Sequence, residues 1–366
     1  MYDWLRRWFS SSPTTADQTS LADPTLESAG PGAGQQAAPA QPLPQAGELG
    51  VSWLQRNQVT VDFNQWVFDT ASVPTIFVTP AEQRVLDALQ AIVDSRQSGA
   101  SLVRRMPGVI PQLLQSLRSD DFSGADLARK ISNDVVLVAE VVRLANSAFY
   151  STVQAITSIE HAVLVLGQNG LRQLISGVAF KPIIGANSGH FTRLIAPRLW
   201  LQAEQCALAN RLLADDDQVN SFEAFLAGLI QNVGLIAALR VMEQVADPEA
   251  KLGSESFCNA LISHARILSC SIAREWQFPA AIIEAIEQQA GHLDAASMTP
   301  LARTLAAGDF LSKVQLLDAH GLLSVQAVEG LSEQGVACLL ALREAAVQAQ
   351  EMAEGLMLEG EVPARR

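Results

Sequence analysis

The chain has 366 residues, 49% of them hydrophobic and 17% charged, which is enough apolar material for one large or two medium domains and excludes a wholly disordered protein. With 25 Lys and Arg against 38 Asp and Glu the net charge is −13, and the arginines are adjacent only in the isolated pairs Arg6-Arg7, Arg104-Arg105 and Arg365-Arg366. A nucleic-acid partner needs clustered cations, so none is expected.

The first ten residues, MYDWLRRWFS, lack the apolar core and cleavage site of a signal peptide. Two readings stay open for them: an interfacial or partner-binding helix making weak peripheral membrane contact, or the start of a disordered tail. Residues 11–49 are rich in Ser, Thr, Pro, Gly, Ala and Gln and read as linker. From 51 to 80 the chain is transitional: VTVDFNQWVF is strand-like, and Trp53, Phe63, Trp66 and Phe68 can dock on the main body.

From Thr79 the helical period takes over. Thr79-Pro80 opens a helix with the stripe Val85, Leu86, Leu89, Ile92 and Val93. Pro107 and Pro111 punctuate the next segment. Ser123 caps GADLARKI, and Asn133 or Asp134 starts VVLVAEVVRLA. Ser158 precedes IEHAVLVLG, Gly167 ends it, and a longer helix follows from Gly170. Beyond Pro197 longer helices are expected over 198–214, 221–241, 256–276, 279–289 and 299–313, then a pair over 324–331 and 332–352, with a frayed tail from 353. The expected class is all-α. No apolar run reaches the ~18–20 uninterrupted residues of a membrane span, and no repeat, phosphate-binding glycine loop or GxSxG nucleophile motif is present. Cys206, Cys258, Cys270 and Cys338 lie in apolar, helix-like surroundings and read as buried free thiols of a reducing, cytoplasmic compartment.

One stretch breaks the pattern. In FLAGLIQNVGLIAAL, Phe225–Leu239, two neutral amides, Gln231 and Asn232, stand where the period asks for Leu or Ile. A buried amide costs free energy unless it is hydrogen-bonded. Either the two are polar positions on a partly exposed helix, or they belong to a polar site within a helical bundle.

Three further stretches carry a resemblance. MPGVIPQLLQSL, SGADLARKISNDVVLVAEVVRLANSAFY and AITSIEHAVLVLGQNGLRQLI resemble the HDOD domain, the HD-related output domain of bacterial signalling proteins. The resemblance runs from Leu102 to Ala290 and onward to Lys313. It implies a helical domain over 101–320, with an N-lobe over 101–188 and an HD-like C-lobe over 189–320, followed by packed helices over 321–352. It also implies a relation to metal phosphohydrolases that hold a divalent ion with a His, a His-Asp pair and a later Asp. In this chain those positions carry Gln202, Gln231-Asn232 and Asp309, with His264 upstream of the Trp276-Gln277-Phe278-Pro279 corner and Gln288-Gln289 after it. Amides are poor ligands for a catalytic metal.

The expectation is therefore a non-enzymatic bacterial regulatory protein with no cofactor, acting through protein–protein contacts with signalling partners. Its input would come from a separate molecule, since no receiver, kinase or cyclase sequence is fused to it. The alternative is a pseudoenzyme sensor that binds a nucleotide or other small ligand in a vestigial pocket of Gln202, Gln231, Asn232, His264 and Asp309. For Gln202, Gln231, Asn232 and Asp309 a structural polar network is the competing reading, and for His264 a capping or core hydrogen bond. An interaction surface is expected at Asn146, Ser147, Phe149 and Tyr150, against capping and turn chemistry as the plainer role. His161, one turn into an expected helix, reads as a surface or packing residue, and His190 and His292 carry no pattern.

Overall fold

The helices begin where capping chemistry allows. Ser52, Asn220, Ser254 and Thr299 each accept a backbone N–H of the following first turn, and Thr79 and Glu82 form a reciprocal capping box behind Pro80. The structure, a computed structural model, describes residues 49–70, 76–95, 102, 141–142, 145, 156, 158–185, 189–214, 219–289 and 295–359. The expected linker over 11–49 apart from Leu49, the N-terminal decapeptide, the caps at Ser123, Asn133 and Asp134, and the candidate surface Asn146, Ser147, Phe149 and Tyr150 lie outside them, as does His292.

Among the described residues every regular element is helical: α1 Trp53–Phe68, α2 Pro80–Asp94, α3 Ile159–Gly185, α4 His190–Ala214, α5 Ser221–Ile230, α6 Val233–Val245, α7 Glu255–Glu275, α8 Ala280–Gln288, α9 Pro300–Ala319 and α10 Glu333–Glu359, with 3-10 turns at Ala295–Ser297 and Val325–Ala327. The long helix α4 is central. It packs against α5 and α9, with α3, α6 and α10 around it, while α7 joins α6 to α2 and α8.

Several expectations are corrected. The strand-like stretch VTVDFNQWVF, 59–68, lies within helix α1: Val59, Phe63 and Val67, spaced by four, all face inward, and burial of that stripe overrides the β-branched composition. Trp53 does not dock and is 67% exposed. Helix α4 does not start after Pro197 but runs through it. The proline removes one hydrogen bond, to the Arg193 carbonyl, and both residues lie on the exposed face where water can take that carbonyl. The expected helix over 221–241 is two helices broken at Gln231-Asn232. The stretch Ser221–Val245 is, by length and mean hydropathy of 1.7, apolar enough to cross a membrane, but 89% of its most apolar window is buried inside this protein. Finally, the expected pair after 324 is a 3-10 turn and the single helix α10, which extends to Glu359.

Close backbone approach sets the geometry around the break. A Cβ on Gly234 would land on the Ala265 carbonyl oxygen and crowd Ser269. Ser269 in turn spans the gap, accepting from Gly234 N (2.8 Å) and donating to the Gln231 carbonyl (2.7 Å). Gly234→Ala is expected to cost about 2–3 kcal/mol of stability, because backbone cannot yield as a flexible side chain does. A urea unfolding curve with a lower midpoint and an unchanged slope would show it.

Candidate functional site

Three elements bring the singled-out polar residues together. Helix α4 supplies Gln202, fully buried on its inner face. The α5–α6 break supplies Gln231 and Asn232, and α9 supplies Asp309, Ser312 and Lys313. A carboxylate only accepts, so any amide facing Asp309 must turn its NH2 toward it. Both glutamines do. Gln202 Nε2 donates to Asp309 Oδ1 at 2.8 Å and Gln231 Nε2 to the same oxygen at 3.1 Å. With its nitrogen so committed, Gln202 presents its carbonyl outward, and Asn232 Nδ2 donates to it at 2.6 Å. Gln202 Nε2 also lies 3.3 Å from Ser312 Oγ, and Gln231 Nε2 lies 3.0 Å from Cys206 Sγ.

The second carboxylate oxygen is taken as well. Lys313, one turn further along α9, places Nζ 2.6 Å from Asp309 Oδ2, with the two side chains only 10% and 17% exposed. The ammonium lies 5.7 Å from the centre of the Phe63 ring on α1. Arg266 of α7 lines the same cavity and donates through Nη1 to the Gln289 carbonyl at 2.7 Å. Burial pulls its guanidinium below the ordinary arginine range, partly offset by the Asp309 charge. Burial also pushes the Cys206 thiol well up, and the Asp309 charge adds to this, so Cys206 is a protonated packing residue and not a nucleophile.

The remaining cavity is small, about 30 Å³, room for a water or two. One of its walls is α1, through Phe63, Asn64, Val67 and Phe68.

His264, expected beside the amides, is elsewhere. Its ring nitrogens lie 2.7 Å from the Ala260 carbonyl and 2.9 Å from Gln90 Oε1, tying α7 to α2. Gln288 and Gln289 join α8 to the start of α9, through Thr299 N and the Ala302 carbonyl. His161 is capped at its backbone N–H by Ser158, and His190 packs edge-on against Phe191. Two partners escaped the sequence reading. Lys313 could have been found, because Asp309 and Lys313 stand four apart on one helix face. The α1 wall could not, since nothing local indicates where that helix docks.

The HDOD domain pattern matches residues 103–291, just over half of the sequence. The chain belongs to the HDOD domain family. An HDOD protein of unknown function from Geobacter sulfurreducens has 19% identity to it, is covered over 95% of its own length and 75% of this one, and superposes with a TM-score of 0.50. A protein provisionally named as a metal-dependent phosphohydrolase, from Shewanella amazonensis SB2B, has 19% identity, coverage of 99% and 73%, and a TM-score of 0.51. At this identity the likeness concerns the fold. An uncharacterised protein of Treponema pallidum (strain Nichols) is 22% identical over 194 residues, which are 50% of this HDOD chain but only 37% of that relative. Among the described residues of the HDOD protein, no group of three or more His, Cys, Asp or Glu side chains converges as a metal site would require.

Proposed function

We propose that this HDOD protein is a non-catalytic regulator in bacterial signal transduction, cytoplasmic, working by binding other proteins. The observation that carries the reading is the Lys313 ammonium seated on Asp309. Hydrolysis of the HD type needs a dication to lower the pKa of bound water. Here the donor set does not fit one. Three positions carry amides whose NH2 nitrogens have no lone pair to give, Asp309 Oδ1 already accepts twice, and Oδ2 holds a cation that would repel a metal. The network instead satisfies itself, as a structural core requires. What a domain with such a site still offers is surface.

Metal analysis of protein purified without chelator is expected to find manganese, iron and zinc far below one equivalent. Stoichiometric metal would overturn the non-catalytic reading. The partner is sought by pull-down from native extract with mass spectrometry, beside Asn146→Ala. A defined partner lost in the variant is the expected outcome, and the absence of any partner above background counts against it. A nucleotide does not fit a cavity of about 30 Å³, so a sensor role requires α1 to move.

A further inference from the structure

Helix α1 is held unevenly. Only Val59, Phe63, Asn64 and Val67 are buried. Outside the cavity its C-terminal end rests on two ring contacts, Trp66 with His320 and Phe68 with Phe257, and its polar fastening comes from Arg198 of α4. That guanidinium donates to the Trp66 carbonyl and, at 3.1 Å, to that of Val67, lies 5.3 Å from the Trp66 ring centre, and pairs with Asp69 at 3.8 Å. Helices with few buried contacts open at low free-energy cost.

Beneath α1 lies a cleft between α4, α6, α7 and α9. Its walls are aliphatic, among them Ile195, Leu199, Leu235 and Leu261, and its floor carries Arg266, Lys313 and Asp309, two cations against one anion. Lys313 already neutralises Asp309, and among the described residues no carboxylate lies within ion-pairing distance of Arg266. An apolar cleft with a few convergent polar groups is the form of a small-molecule site. The surplus positive charge specifies an anion, and the present occupants specify its body: α1 fills the space with Phe63 and Phe68, the first with its ring toward the Lys313 ammonium.

We propose that the cleft under α1 binds a flat aromatic anion, and that α1 is a displaceable stand-in for that ligand, so that ligand binding and release of α1 are coupled. The proposal goes beyond the partner-binding role and rests on the reading that the site turns nothing over. Metal content tests that reading, whereas the titration below concerns the cleft alone.

The probe is anilinonaphthalene sulfonate, a flat aromatic anion, titrated by fluorescence into the full chain. Affinity for a site open only part of the time is reduced by the open fraction, so Arg198→Ala, which loosens α1 without touching the cleft, is expected to bind about tenfold or more tightly than wild type. Adding Arg266→Gln should reverse most of that gain. Hydrogen exchange should accelerate in the α1 peptide when probe is added to wild type, and not in α9. All variants are compared where thermal unfolding remains cooperative, and Phe63→Ala replaces Arg198→Ala should the latter fail to fold. Equal affinity in the loosened variant, indifference to Arg266→Gln, or unchanged exchange in α1 would each overturn the proposal.

Discussion

Lys313→Met is expected to destabilise the protein by about 3–5 kcal/mol, whereas the double change Asp309→Asn with Lys313→Met should cost about 1 kcal/mol or less. The reasoning follows from what each leaves behind. Removing the ammonium alone strands a carboxylate, 17% exposed, that keeps only the two glutamine donors. Taking both charges out leaves an amide oxygen at position 309 that can still accept from Gln202 and Gln231. It also sets a thioether from position 313 against the Phe63 ring, a contact favourable in its own right. Urea midpoints of the wild type, both single variants and the double variant form a mutant cycle. A coupling energy near zero would mean that the pair is screened and incidental. The expected large coupling would mean that Lys313 holds the charge of Asp309 in the folded state. The same cycle bears on function, because a carboxylate that needs its lysine for stability is not poised to receive a dication.

The helical architecture was legible because caps and periods agree locally. Thr79-Pro80 sits just ahead of an apolar stripe and α2 begins there, while α7 and α9 begin within one residue of the expected 256 and 299. Where local and tertiary preferences conflict, the reading failed. Val59, Thr60 and Val61 look like strand, yet Val59, Phe63 and Val67 lie on one helical face and burial decides. Pro197 looks like a helix start, but an exposed carbonyl tolerates the missing donor. Of the candidate site, Gln202, Gln231, Asn232 and Asp309 were identifiable as positions and do converge. That the amides sit at a helix break was not, because the Ser269 bridge and the close approach at Gly234 come from α7, over thirty residues away. His264 takes the core hydrogen-bonding role that was its plainer reading, but its partner could not be named, because Gln90 belongs to a helix 174 residues earlier.

Glu82 should make the stability of the fold depend on pH in acid. Its carboxylate, 1% exposed, joins two helix starts. It accepts from Thr79 N (2.7 Å) at the head of its own helix, and from Gly253 N (2.8 Å), Ser254 N (2.7 Å) and Ser254 Oγ (2.8 Å) at the head of α7. Both helix N-termini present partial positive charge to it. Burial by itself would raise the acid's pKa, but the bonds from Thr79, Ser254 and Gly253 outweigh burial, and the result lies below the ordinary 4.5. Glu82→Ala is expected to cost about 3–4 kcal/mol, since it strands buried N–H groups that had charged partners. Glu82→Gln should cost about 2–3 kcal/mol, because its NH2 faces groups that only donate. The sign of the pH effect follows from linkage. A carboxyl whose folded pKa is depressed contributes its full stability above the unfolded value, near 4.5, and loses it as pH falls through the folded one. Urea midpoints of wild type and Glu82→Gln should therefore differ most at neutral pH and converge progressively below pH 4.5. A gap that stays constant, or widens, in acid would show that the ionised carboxylate is not what binds the two helix heads together.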